Sequence, residues 1–418
     1  MAEKGTNCRM RSLFTVVATL ACALAVGCGF SSEEGGGGGT QVSWYIFNEP
    51  SGAYQEAADD CTKQSNGRYS INYVRLPTNA DQQRELVVRR LAAEDSDIDI
   101  VGMDVNWTAE FAEGGWILPW EGEQEQIASE GKLDGPLLTT EYQNKTWAIP
   151  LTTNTQLLWY RKDRVDRVPE TWDEMIDMAA EAGRPIEVQA ARYEGYTVWI
   201  NSLVNSAGGQ IIDEDGDIAV DETTERAAEI IKRVADEAAP PGMSNNREDQ
   251  ARLGFEEGRS DFQVNYPYIY PSAAAIEGFQ EKIGWAPYPA VEEGQPSKVT
   301  VGGINLGVGA YSKNPELAFE AAECLASPEH QLVAAVDGGL PPTTEALYDD
   351  PEFVKAYPFA AEIRRSLDTG VARPVTPAYS DISLAIQKSF HPPDGIDPPA
   401  VADSLRDKLD KAIEGKIF

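Results

Sequence analysis

A strand–helix alternation near the start of the chain constrains the fold most. Val42–Phe47 reads as an apolar strand, followed by a helical pattern to about Gln64. Ser70–Leu76 reads as a second strand, followed by a helix from about Ala80 to Ala93. Ile98–Met103 is a third, followed by a short helix over Trp107–Ala112. Parallel strands need a crossover, usually a helix, where antiparallel strands need only a hairpin. The βαβαβ order therefore predicts a parallel sheet covered by helices. In such sheets ligands bind beyond the carboxyl ends of the strands.

A second α/β unit begins near Trp172. Its helices are expected over 172–182, 196–206, 224–238 and 250–257, and its strands over 186–190, 261–266 and 283–287. The tail from Pro399 to Phe418 reads as a final amphipathic helix. The chain of 418 residues is too long for one compact core, which stops growing at roughly 250–300 residues, so two lobes are expected. The acidic stretch Asp213–Asp217 lacks the ligand spacing of a calcium loop and reads as a turn between two short strands.

The N-terminus carries a different signal. Lys4, Arg9 and Arg11 form a basic region ahead of the apolar stretch Ser12–Gly27. That stretch is shorter than the ~20 residues of a spanning helix and suits a signal peptide. Leu24-Ala25-Val26-Gly27-Cys28 resembles a bacterial lipobox. The resemblance implies a signal peptide over 1–27, cleavage before Cys28 and lipid on Cys28. Residues 28–40, with the run Gly35–Gly39, would be a flexible tether to the outer face of the cell membrane. An uncleaved N-terminal anchor is the alternative, and it leaves the body outside the cytoplasm too.

The formal charge is −33, and residues 1–27 contribute none of that excess acid. Such a surface repels nucleic acid and anionic lipid headgroups and favours neutral or cationic ligands. Cys8 and Cys22 leave with the signal peptide and Cys28 is lipidated, which leaves Cys61 and Cys324. Each lies in a helical pattern. Two cysteines in an oxidising compartment invite one disulfide, with two buried free thiols as the alternative.

Much chemistry is missing. With only two histidines, His330 and His391, a zinc site or a Ser-His-Asp triad has little to draw on. His330, after Ser327-Pro328-Glu329, reads as a helix-start residue. The sequence has no Gly-x-Ser-x-Gly elbow, no phosphate-binding loop and no dinucleotide fingerprint, so no cofactor and no metal are expected. The surviving enzyme class is a carboxylate-based secreted glycoside hydrolase.

Several short stretches break the helix and strand patterns with amides, carboxylates and aromatics. They are Asn48-Glu49-Pro50, Asp81-Gln82-Gln83, Met103–Trp107, Thr152–Thr155, Asn265–Tyr268, Gly302–Asn305 and Ala372–Pro374. Most fall at the end of an expected strand. Carboxylates and amides exchange hydrogen bonds with hydroxyls, arginine gives a fork to neighbouring oxygens, and aromatic faces cover the C–H side of a sugar ring.

On these residues the chain resembles the extracellular solute-binding proteins of sugar ABC importers, the maltose-binding-like group. The marks are Leu158–Asp163, Pro169–Met175 and Phe255–Asp261, in that order. Within the group it resembles the mycobacterial trehalose-binding lipoproteins, through Asp104–Glu113, Thr152–Arg161, Ala286–Val291, Val299–Leu306 and Ala372–Pro377. The resemblance implies a two-lobed α/β fold of the type II periplasmic-binding class, with an interlobe cleft and a hinge. Crossing strands are expected near 150–155 and 302–309, with a third crossing near 360–372. The N-lobe would hold 41–150 plus 308–360, and the C-lobe 155–302 plus 370–418.

The implied ligand is a disaccharide, trehalose first. The implied contacts are Asn48, Glu49, Gln83, Asp104, Asn154, Gly303 and Arg373, with aromatic contacts at Tyr266 and Tyr268. Where the subfamily has Trp, this chain has Tyr266, and it is shorter just after Tyr268. The implied partners are ABC permease subunits with their ATPase and the membrane under the lipid anchor, with no nucleic acid and a monomeric body. A receptor for peptides or another osmolyte is a further alternative and fits the amide and aromatic set less well.

Overall fold

The computed structural model describes residues 39–213 and 216–415. Signal peptide 1–27, Cys28 and the tether as far as Gly38 lie outside these residues, as do Glu214 and Asp215 of the acidic turn.

The first sheet begins as the alternation requires. Thr40–Phe47 pairs in parallel with Tyr69–Leu76, in register from Thr40 opposite Tyr69 to Phe47 opposite Leu76. On its other side it pairs in parallel with Ile100–Asp104. Helices Ala53–Gln64 and Ala80–Leu91 make the crossovers. The strand is buried from Val42 to Ile46, as one covered on both faces must be. Trp44 points into a core with Tyr54, Ala58, Cys61 and Phe319. Tyr45 points the other way, to Val87, Leu91, Met103 and Phe111.

The sheet does not stay parallel. Gly302–Gly309 enters from far along the chain and pairs antiparallel with Ile100–Asp104, with Ile117–Leu118 and with Ile149–Asn154. A strand arriving from a second unit carries no helical crossover, so nothing in its neighbourhood fixes a parallel direction.

The second sheet runs Ile283–Ala286, Leu157–Arg161, Phe262–Asn265, Ile186–Glu187. Leu157–Arg161 is antiparallel to both neighbours, and Phe262–Asn265 is parallel to Ile186–Glu187. Its core holds Leu158, Trp172, Trp199, Val264, Phe390 and Leu405. Helix Glu194–Ser206 is buried along its whole length. The final helix starts at Pro398 and ends at Ile413, with proline in the first turn, where a missing N–H costs nothing.

The chain passes directly from Ile149–Asn154 in the first sheet to Leu157–Arg161 in the second. Gly302–Gly309 returns it. A further apolar cluster joins Trp159, Phe255, Phe279, Phe359 and Ile363 with Leu133 and Ala335. The helices Pro351–Ala356 and Ala360–Asp368 therefore pack where the two sheets approach each other.

Cys61 and Cys324 are bonded, which fastens helix Ala53–Gln64 to helix Pro315–Leu325. His330 sits in the first turn of helix Pro328–Gly338, as its sequence context suggests, with Nδ1 donating to the Cys324 carbonyl at 2.8 Å. Cys61, Cys324 and His330 form the one close set of metal-type donors among the described residues, and the two sulfurs are spent on each other.

Candidate ligand-binding cleft

Strand ends from both sheets converge on a cleft of about 500 Å³. Phe47, Asp104 and Asn154 end strands of the first sheet, and Tyr266 directly follows a strand of the second. Gly303 lies beside Thr153 in the first sheet. It has φ of +136°, and a Cβ there would fall 2.2 Å from the Thr152 carbonyl oxygen. Only glycine tolerates that conformation and that approach. Asp104, Asn154, Tyr266, Gly303 and Arg373, all expected from sequence, line this space.

The other four expected contacts lie outside the cleft wall. Asn48 is exposed beyond the strand end. Glu49 is buried, but its carboxylate accepts from the backbone N–H groups of Ser51 at 2.7 Å and Gly52 at 3.0 Å. It secures the turn into helix Ala53–Gln64. Gln83 is buried on helix Ala80–Leu91, whereas the residue capping that helix, Asn79, faces the cleft. Tyr268 is half-buried and stands against Gly339.

The cleft is organised around Arg373, which is 5% exposed. Its Nη2 donates to Asp104 Oδ1 at 2.9 Å and its Nη1 to Glu194 Oε1 at 2.6 Å. The same Glu194 oxygen accepts from Asn106 Nδ2 at 3.2 Å and from the Tyr379 hydroxyl, and Ser383 donates to its other oxygen. Glu194 belongs to the second core and Asn106 to the loop after the first sheet's Asp104. One carboxylate thus connects the two sides. Burial raises the pKa of Glu194, and Arg373 opposes the rise. Arg373 Nε is buried with no hydrogen-bond partner among the described residues, which leaves a donor for a ligand. Beyond Glu194 lies a second cavity of about 280 Å³ containing Asp81, Trp107, Tyr379 and Gln387.

Sequence reasoning missed Tyr193, Glu194 and the polar turn Arg247–Gln250, all of which line the cleft. A signal existed for Glu194: it is the only charged residue of an otherwise uncharged helix. Glu248 and Asp249 sit in the first turn of helix Glu248–Glu256, where acidic residues are common for dipole reasons alone.

Residues 47–332 match the family model described as bacterial extracellular solute-binding protein. A probable ABC transporter-binding protein of Deinococcus radiodurans is 31% identical over 364 residues, covering 81% of this chain and 84% of that protein. Among solved structures, maltose-bound T. maritima MalE3 aligns with a TM-score of 0.81 at 25% identity, over 89% of this chain and 99% of that one. The GacH receptor of Streptomyces glaucescens, solved unliganded and with acarbose, aligns with a TM-score of 0.79 at 21% identity, over 90% of this chain and 99% of that one. The fold is the two-lobed, maltose-binding-protein-like α/β fold expected from the sequence.

Proposed function

The chain belongs to the bacterial extracellular solute-binding proteins, and from that premise we propose that it is the substrate-binding component of an ABC sugar importer, with trehalose as its ligand. The secreted glycoside hydrolase is set aside, because the matched family and its relatives are binding proteins rather than enzymes.

The observation that carries the sugar reading is the polar wall around Arg373. Asp104, Asn154 and the free Nε of Arg373 offer acceptors and donors to hydroxyls, while Phe47, Tyr193 and Tyr266 offer ring faces. A cleft of about 500 Å³ lies within the ~300–1,000 Å³ of small-molecule sites. The lobes divide at 41–150 plus 308–360 and 155–302 plus 370–418, with the helices between 351 and 368 packed against both. Ligand binding closes the lobes, since only the closed form lets both contact the sugar.

The closed protein is presented to a membrane permease whose ATPase supplies the energy. The body acts as a monomer on the outer face of the membrane, held by lipid on Cys28.

Calorimetric titration of the body without its lipid, using trehalose with maltose and sucrose in parallel, tests this reading. One-to-one binding to trehalose alone is the expected result. Binding to another sugar alone would reject trehalose and keep the sugar importer. No heat with any sugar would overturn the reading.

A further inference from the structure

Asn265 ends the strand Phe262–Asn265 and is wholly buried, so it does not itself meet a ligand. Its backbone pairs with Leu157, and its carbonyl accepts from Trp159 Nε1 at 2.9 Å. The ladder stops there, and the next residue, Tyr266, lines the cleft. The N–H of Tyr266 lies beyond the strand pairing and donates instead to Asn265 Oδ1 at 2.9 Å. The other end of the same amide, Nδ2, donates to the Glu248 carbonyl at 3.1 Å and to Gln263 Oε1 at 3.3 Å. Glu248 opens the helix Glu248–Glu256 and belongs to the turn Arg247–Gln250, which lines the cleft too.

The partners fix which way round the amide sits. A backbone N–H only donates and a carbonyl only accepts, so Oδ1 must meet Tyr266 and Nδ2 must meet Glu248. Gln263, also wholly buried, accepts from Nδ2 from within the same strand. Hydrogen bonds this deeply buried are electrostatically stronger than in water and costly to leave unmade. One side chain thus joins two separate segments of the cleft wall.

We infer that Asn265 is a positioning residue of the cleft: it holds Tyr266 and the turn Arg247–Gln250 in one fixed relation, and the ligand is read against that wall. This rests on the sugar-importer reading, in which Tyr266 gives a ring face to the sugar, and adds the residue that sets where the ring stands.

The test follows Asn265→Ala and Asn265→Ser in the body without its lipid, with thermal melts to establish that each is folded. Amide hydrogen exchange reads the Tyr266 N–H with no ligand present, and calorimetry reads trehalose, maltose and sucrose. In Asn265→Ala the Tyr266 amide should exchange roughly tenfold faster, and affinity for the bound sugar should fall roughly tenfold. Asn265→Ser, whose hydroxyl can accept from the same N–H, should lie between, and it carries the comparison if the alanine variant does not fold. The affinity losses of Asn265→Ala and Tyr266→Ala should sum to more than the loss in the double variant, because removing the ring removes what Asn265 positions. Unchanged exchange at Tyr266 in the folded variants overturns the inference. Affinity within twofold of wild type, or losses that add in full, overturns it too and leaves the sugar reading standing. If the wild type binds no sugar, the sugar reading falls, and exchange at Tyr266 alone decides the positioning.

Discussion

Arg373 and Asp104 meet at 2.9 Å, Nη2 to Oδ1, and this ion pair joins the loop after residue 371 to the end of a first-sheet strand. The same guanidinium is held by Glu194 at 2.6 Å. The arginine is therefore oriented before any sugar arrives, and little ordering cost remains for the ligand to meet.

The two partners of that pair should respond differently to truncation. Asp104→Ala leaves Arg373 bound to Glu194, so the fold should persist while sugar affinity falls roughly 10- to 150-fold. Arg373→Ala strands two carboxylates, one of them buried, and should cost about 3–5 kcal/mol of stability as well as binding. Calorimetry beside denaturant melts separates the two. An Asp104→Ala protein with affinity within twofold of wild type would remove Asp104 from the site.

A second prediction concerns pH. Glu187 is fully buried on the strand Ile186–Glu187, and Gly254 lies against it so closely that a Cβ there would fall 1.9 Å from its Oε1. Burial pushes its pKa up to about 7, with Arg259 opposing. A carboxyl raised in the folded state binds its proton more tightly there than in the unfolded chain. Its contribution is fully present below the unfolded pKa, near 4.3, and is lost as pH rises through about 7. The loss is on the order of 3 kcal/mol. Glu187→Gln should therefore gain stability over wild type at pH 8 and little at pH 4, in urea melts at both. Equal gains at the two pH values would refute the assignment.

The bond between Cys61 and Cys324 closes a loop with a sequence separation of 263 residues. Chain entropy for so long a loop gives on the order of 5 kcal/mol as an upper figure. A body beginning after Cys28 should show no free thiol when denatured without reductant, and reduction should lower its melting temperature. Two reactive thiols in the denatured, unreduced protein would disprove the bridge.

The sheets were legible because each strand announces itself locally. Val42–Phe47 is apolar but for Ser43, and the helices after it begin at cap residues such as Asn79 and, further on, Thr171. The antiparallel entry of Gly302–Gly309 was not legible, since its direction is set by pairing with the strand Ile100–Asp104, about two hundred residues earlier. The site divides along the same line. Asp104, Asn154 and Tyr266 stand at strand ends, where the topology itself points. Glu49 has the right chemistry and the right neighbourhood, but its carboxylate is taken by two backbone N–H groups a few residues on. A local cap and a ligand contact look alike in sequence. Glu194 reaches the cleft only because Arg373, Asn106 and Tyr379 are folded around it.

The floor of the cleft at Gly303 is main chain, pressed against the Thr152 carbonyl. Backbone has no side chain to exchange, so this surface offers a designer no group to swap, and any side chain added at Gly303 would collide with the neighbouring strand. Ligand preference is more readily altered on the walls, in the turn Arg247–Gln250 and at Tyr266. An engineer seeking a new ligand should randomise those positions and leave the paired strands Ile149–Asn154 and Gly302–Gly309 untouched.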